Sequence, residues 1–387
     1  MARRLSWPRV VAGLLVALGS VLVMPAAAAH AAPTKAITVS GGYLHSCDVT
    51  TKGAVRCWGY NAYGQLGDNS TATSTKPVAV YGLGSKVKHV TSGYMHSCAL
   101  TTRGKVWCWG WNAYGQLGDN TTTNSSKPVA VANLGKVKAI DAGYLHTCAI
   151  TTKGAVKCWG YNANGQLGDN SATNSLTPVS VYGITKGAKA VSSSYTSTCA
   201  ITSKGAAKCW GDNSYGQLGD NSTTSSNKPV TAYGLTKKVK QISAGQYSTC
   251  AVNGNNKALC WGYNAQGQLG DNSTTNSSKP VGVYGLGSGI KTVKTSIYHS
   301  CALTSKGKVK CWGNNDYGQL GDNSTTSSLK PVNVYNLDKS TKVSVGYLHT
   351  CVVTAKKAVK CWGYNVYGAV GDNTTTSTSH PVKVFGY

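Results

Sequence analysis

Fourteen cysteines place the strongest constraint on what this chain can fold into. They fall into seven pairs, each with nine residues between its members: Cys47 and Cys57, Cys98 and Cys108, Cys148 and Cys158, Cys199 and Cys209, Cys250 and Cys260, Cys301 and Cys311, Cys351 and Cys361. Successive pairs lie 50 or 51 residues apart. A sevenfold repeat of that period marks units that stack or close into a ring. Within one repeat, "KPVAVYG", "VKHVTSG", "SCALTTRG" and "KVWCWGWN" read as four short strands, the last two joined by a tight turn at "TRG". Helical periodicity is missing. Four strands in each of seven units predict an all-β fold, a seven-bladed β-propeller of four-stranded antiparallel blades.

Taken in that order, the chain starts inside a blade, with "AITVSGG" as a second strand. It ends on "HPVKVFGY", a first-type strand with no blade after it. The ring is therefore expected to close by pairing of the N- and C-terminal strands, residues 381–386 beside the strand around 37–40. In each repeat the two cysteines stand symmetrically about the hairpin turn. Cross-strand neighbours lie about 4.5–5.5 Å apart, within disulfide reach, so one disulfide per blade is expected. Zinc is the competing reading, although metal sites use more closely spaced ligand pairs. The tryptophan after each second cysteine is expected to pack against the neighbouring blade.

The N-terminus bears on the compartment. Arg3, Arg4 and Arg9 precede the apolar run "VVAGLLVALGSVLV", and small residues follow in "MPAAAAHAAP". This reads as a secretory signal peptide over residues 1–31. The alternative, a retained anchor, would need an apolar core of about 20 residues. Residues 36–387 then form a single propeller domain, secreted and extracellular, where disulfides form. No later segment is apolar enough to cross a bilayer. The chain carries 38 Lys+Arg against 12 acidic residues, a formal charge of +26, which favours anionic partners.

The phrases "GYMHSCALTTRGKVWCWGWNAYGQLGDN" and "KPVAV" resemble the repeats of the regulator of chromosome condensation family over residues 36–387. The resemblance implies the propeller fold. For function it implies only a range: a nuclear member is a guanine nucleotide exchange factor that binds chromatin, and a secreted relative inhibits β-lactamases. Secretion and the paired cysteines depart from the nuclear pattern, so nucleotide exchange is not expected.

Three sets of residues are candidates for function. Asp68, Asp119, Asp169, Asp220, Asp271, Asp322 and Asp372 recur in the "GQLGDN" loop. Such residues cap turns; a calcium loop would want several carboxylates together, and catalysis a pair in unlike environments. They are read as structural turn residues, with no metal and no catalytic group. His45, His96, His146, His299 and His349 precede the first cysteine by two, with Tyr43, Tyr94, Tyr144 and Tyr347 two residues before a histidine. These are candidate ligand contacts; the alternative for the histidines is bonding to the connecting backbone. The third set is basic: Lys52, Lys86, Arg103, Lys136, Lys153, Lys204, Lys237, Lys238 and Lys306.

Strand alternation sorts these sets onto opposite faces. The turns with Lys and Arg fall on one face, and the Tyr/His segments with the "YNAYGQLGDN" loops on the other. Dispersed lysine suits loose attraction to polyanions more than bidentate base readout, so no specific nucleic-acid recognition is expected. The functional expectation is a secreted, non-enzymatic binding propeller without cofactor. Its partner would be a cell-surface glycan, an anionic envelope polymer or a secreted protein. The alternative is a protein inhibitor of an extracellular enzyme, and behind it a polymer-degrading enzyme.

Overall fold

β-branched and alternating segments only four to six residues long, separated by turns rich in glycine and asparagine, are too short for helices but suit strands. The computed structural model describes residues 33–387, and their regular elements are the twenty-eight strands β1–β28. The expected signal peptide lies outside the described residues. The first sheet takes β1 (Ala36–Gly41), β2 (His45–Thr50), β3 (Val55–Gly59) and β4 (Ser74–Ala79) in chain order, all antiparallel. Six further sheets repeat this order, the last being β25 (Ser340–Val345), β26 (His349–Thr354), β27 (Val359–Gly363) and β28 (Thr378–Lys383). The fold is a seven-bladed β-propeller with four antiparallel strands in every blade.

The blade boundary differs from the sequence expectation. The "KPV" strand ends a blade instead of opening one: β4 pairs with β3, and β28 pairs with β27. Blade one is complete without the C-terminus, so the expected pairing of N- and C-terminal strands does not form. The reason is that an antiparallel repeat can be cut at any strand without changing its period. The long "YNAYGQLGDNST" segment runs inside a blade, and the short "YGLGSK" segment is the link to the next. The two ends of the propeller still meet, with Thr34 N–H donating to Gly386 O at 2.9 Å.

The cysteines pair as expected, one disulfide per blade. Cys47 is bonded to Cys57, Cys98 to Cys108, Cys148 to Cys158 and Cys199 to Cys209. Cys250 is bonded to Cys260, Cys301 to Cys311 and Cys351 to Cys361. Each bond joins the two central strands of its blade, with Cα atoms 4.0–4.1 Å apart, and no cysteine is left free among the described residues. The partners stand directly opposite one another in the ladder, as Cys98 does to Cys108. Zinc, the competing reading, has no thiolates left to bind it. Around each bond lies a small core that spans two blades. In one, Cys47, Val49, Val55, Cys57 and Leu66 meet Val87, Val90 and Trp109 of the next blade.

Every seam between blades uses the same tryptophan and hydroxyl bonds, and five of the seven add a histidine. The buried Trp109 donates its Nε1–H to Gln65 O of the preceding blade at 2.9 Å. Gly67 lies flat on that indole; a Cβ there would come 2.6 Å from Nε1, and the residue holds φ +71°. The "GQLG" glycine is thus required by close approach to the ring. The same carbonyl accepts Ser97 Oγ–H at 3.0 Å, and Ser97 Oγ also meets His45 Nε2 at 2.8 Å. The ring closes through an identical seam: His349 Nε2 to Ser46 Oγ at 2.8 Å, and Trp58 Nε1–H to Ala369 O at 2.9 Å.

A second belt lines the axis. Six of seven equivalent inner-strand side chains accept the backbone N–H of the next blade: Ser40 from Ser92, Thr91 from Ala142, Asp141 from Ser193, Ser192 from Ala244, Ser243 from Thr295 and Ser344 from Gly41. The seventh position is Lys294, which has no acceptor to offer.

Candidate functional site: a tyrosine crescent at the axial mouth

The turn between the first and second strand of each blade brings residues of all seven blades to one end of the axis. There Gly42, Gly93, Gly143, Ser194, Gly245, Ser296 and Gly346 surround a funnel of about 140 Å³, with Tyr43, Tyr94, Tyr144, Tyr195 and Tyr347 on its rim. Five of the seven blades use glycine at this turn, where the chain passes close to its neighbours, and two use serine. A Cβ on Gly93 would lie 2.2 Å from Gly143 O and 2.5 Å from the His96 ring.

The tyrosines form a continuous surface. Ring centroids are 4.1 Å apart for Tyr347–Tyr43, 4.3 Å for Tyr43–Tyr94, 3.7 Å for Tyr94–Tyr144 and 4.2 Å for Tyr144–Tyr195. Tyr298 extends the row, its hydroxyl 3.3 Å from that of Tyr347. A second, outer row meets the first at Trp111, 6.2 Å from Tyr94, and runs through Tyr114 to Tyr161. On the other side Tyr60 and Tyr367 pack at 5.1 Å. Where the outer row would continue into blades four and six, Asp212 and Asn314 bond their own loops, accepting Gln217 Nε2–H and Gln319 Nε2–H. The closely packed inner row is a crescent from blade six through blades seven, one, two and three to blade four, and a looser contact of 6.1 Å links Tyr195 to Tyr247 of blade five. Burial, first of all, raises the hydroxyl pKa of Tyr43, Tyr144, Tyr195 and Tyr347, so these phenols remain protonated donors.

The histidines sit elsewhere than a ligand contact would. His45, His96, His146, His299 and His349 are all fully buried, and each Nε2 meets a hydroxyl of the next blade at 2.8–2.9 Å. That hydroxyl spends its one proton on a carbonyl, as Thr147 does on Gln116 O. The histidine must therefore donate, which assigns the neutral Nε2–H tautomer. Nδ1 of His45, His96 and His146 is left without a partner. Burial lowers the pKa of four of these rings to about 3 and of His349 to about 4. They lock blades together, and the part of each "GYLHSC" segment that meets solvent is the tyrosine.

Each loop aspartate closes a local turn. Asp68 Oδ1 accepts Ser70 N–H, Ser70 Oγ–H and Asn61 Nδ2–H, and the other six sites repeat the Asn–Asp contact at 3.1–3.2 Å. The buried asparagine is the hub, since Asn61 also accepts Leu66 N–H and donates to Ala72 O. The asparagine after each aspartate takes φ near +65 to +71°. Among the described residues no group of three or more His, Cys, Asp or Glu could hold a metal ion.

The nine basic turn residues are all exposed. Hairpin and linker turns share a face, with Val87 N–H donating to Gly53 O and Thr102 N–H to Lys86 O. The two-face division holds although the blade phase differs, because shifting an antiparallel repeat by one strand leaves the same turns together. Sequence reasoning passed over Tyr195, Tyr298 and Trp111. Tyr195 could have been found by aligning its repeat with Tyr43; it was obscured by the serine at 197 that replaces histidine.

Comparison with known proteins agrees with this architecture. The RCC1-like domain profile matches residues 18–284, and regulator of chromosome condensation (RCC1) repeats match 290–319, 341–369 and 306–353. The chain is 32% identical over 317 residues to the human (Homo sapiens) E3 ubiquitin-protein ligase HERC2, covering 81% of this chain and 6% of that protein. It is 31% identical to the ultraviolet-B receptor UVR8 of Arabidopsis thaliana, over 77% of this chain and 57% of the receptor. It thus spans less than two thirds of either relative. Among solved structures, human WBSCR16 superposes with a TM-score of 0.74 at 25% identity, covering 82% of this chain and 86% of that one. Yeast RCC1 (Prp20), bound to Kap60, gives 0.76 at 21% identity, covering 91% and 84%, a likeness of fold. With seven repeats, seven seams that share one tryptophan-to-carbonyl bond and a profile match across more than half its length, this chain belongs to the RCC1-like domain family.

Proposed function

We propose that this chain is an exported, non-catalytic binding propeller whose tyrosine crescent recognises a cell-surface glycan. The carrying observation is the unbroken run of rings from Tyr298 to Tyr195, with Trp111 beside it. These rings are half-buried, and a contiguous, solvent-facing aromatic patch of this kind is the sort of surface that binds partners. Tyrosines offer rigid apolar faces with hydroxyls at the edge, at little entropic cost on binding. A sugar ring presents the matching pattern, apolar faces edged by hydroxyls. Seven disulfides support residence in an oxidising compartment. Family membership supports a binding or scaffold role, since the fold hosts functions through sites grafted on it. Catalysis finds no support in the loop aspartates, each engaged in its own turn.

The test is a glycan array, followed by titration calorimetry on the best hit. Tyr94→Ala with Tyr144→Ala should weaken binding at least tenfold with little change in salt dependence. Binding unaffected by that pair, or no glycan bound by the wild type, would reject the reading. If a secreted protein is captured through the same tyrosines instead, the ligand assignment fails and the inhibitor reading takes its place.

A further inference from the structure

At the end of the axis away from the tyrosines, the inner strands enclose a second cavity of about 560 Å³. Its walls carry Lys88, Lys291, Lys294 and Lys342 together with His89, and one carboxylate, Asp141. The ion pairs among the described residues are Arg56–Asp48 and Lys360–Asp338, so none of these four ammonium groups has a carboxylate partner. Lys294 is the most telling. It occupies the belt position where the other blades place an acceptor for the neighbouring N–H, four of them with serine. Here the belt forgoes a bond and puts a cation into the channel wall instead. Lys88 and Lys291 hold a register position that is lysine on blades two to six, of which these two line the cavity. Lys342 comes from blade seven between blades six and one. These three are exposed and Lys294 is half-buried.

From this geometry we infer that the cavity is an anion site for a short phosphate chain, of the tripolyphosphate class. Converging charges of one sign within low-dielectric walls focus their field on the space between them. Ammonium groups on flexible stems bind phosphate oxygens as point charges without demanding a planar partner. The volume is that of an ordinary small-ligand site. Burial also raises the Asp141 carboxyl, to about 6, with Lys294 the first group opposing the shift. The site is distinct from the nine basic turn residues, which are exposed around the periphery of the same face, and from the tyrosine crescent.

Two substitutions separate binding from folding because each installs the serine that other blades carry. Lys294→Ser supplies the missing acceptor and removes the cation. Asp141→Ser keeps an acceptor and removes the opposing charge. Calorimetry with sodium tripolyphosphate at low ionic strength, with sulfate as competitor, should show Lys294→Ser weakening binding at least tenfold without a lower melting temperature. Asp141→Ser should tighten it several-fold. Lys52→Ala with Arg103→Ala, and the tyrosine pair, should leave it within twofold. The inference is overturned if the wild type binds tripolyphosphate no better than sulfate, if Lys294→Ser binds like the wild type, or if the peripheral pair abolishes binding.

Discussion

Single residues decide how this ring responds to acid. The pKa values of the five seam histidines, about 3 to 4, lie below the ordinary value near 6.5, chiefly because burial disfavours their charged form. His89 is lowered to about 4 as well, again first by burial. The unfolded chain therefore takes up protons that the folded chain refuses. The stability these groups supply is complete above pH 6.5 and is lost as pH falls toward 3. Each contributes about 1.4 kcal/mol per pH unit across that window. Asp48 and Asp141, raised to about 6 by burial, act in the opposite sense but are outnumbered. Melting temperature should fall steeply between pH 6.5 and 4, and His96→Gln with His146→Gln should flatten the slope while lowering the melting point at pH 7. A pH-independent melting point would reject this account. These roles were only half legible in the sequence. The spacing of His96 from Cys98 marks a repeated position, but whether its ring turns to solvent or to Thr147 depends on how the next blade packs against it.

At the scale of the element, the hairpin of the second and third strands was legible because its features recur at fixed offsets: two cysteines, a turn between them and a tryptophan. The phase of the blade was not, because a period carries no origin. The inner strand was the least legible element. Its channel-facing positions, such as Thr91, Asp141 and Lys294, differ from blade to blade and so escape a search for repetition. Removing one bond by Cys98→Ser with Cys108→Ser should cost about 2–3 kcal/mol, the chain-entropy value for so short a loop, read as a shifted denaturant midpoint. Loss of all cooperative unfolding would show that the blade needs its bond to form. The strand at the C-terminus also has a changed expectation. Deleting residues 378–387 removes the outermost strand of blade seven but leaves the His349–Ser46 and Trp58–Ala369 bonds in place. The ring should stay closed with a lower melting point, whereas deleting residues 33–41 removes an inner strand and the Gly41–Ser344 bond and should open it.

For the whole molecule, the division of chemistry between two faces yields separable behaviours. Charge removal at Lys52, Arg103, Lys153 and Lys204 should weaken retention on anionic envelope material and flatten its salt dependence, since exposed charges act through screened attraction. It should leave the tyrosine-dependent binding alone. Equal effects on both would mean that the faces do not act independently. Closure without strand exchange makes a further whole-molecule expectation. With Thr34 and Gly386 already joined by a backbone hydrogen bond, a short linker from Tyr387 to Thr34 and new termini in the exposed turn at Tyr182–Gly183 should give a circular permutant. Its circular dichroism and melting point should match those of the parent; failure to fold would show that the native end-to-end seam has an ordering role the other six lack.

The same mode of closure bears on how such a molecule can be inherited. Each strand finds all its sheet partners within its own fifty-residue unit, and every seam between units repeats a tryptophan, a hydroxyl and a glycine contact that each unit supplies, with the belt bonds and shared cores beside them. Duplicating or losing one unit leaves no strand without a partner. The number of blades is then a matter of wedge angle around the axis and not of connectivity. A lineage can change the count by unequal recombination between near-identical repeats, and a single unit can diverge, as blade six has done with its lysine, while its six siblings keep the ring intact.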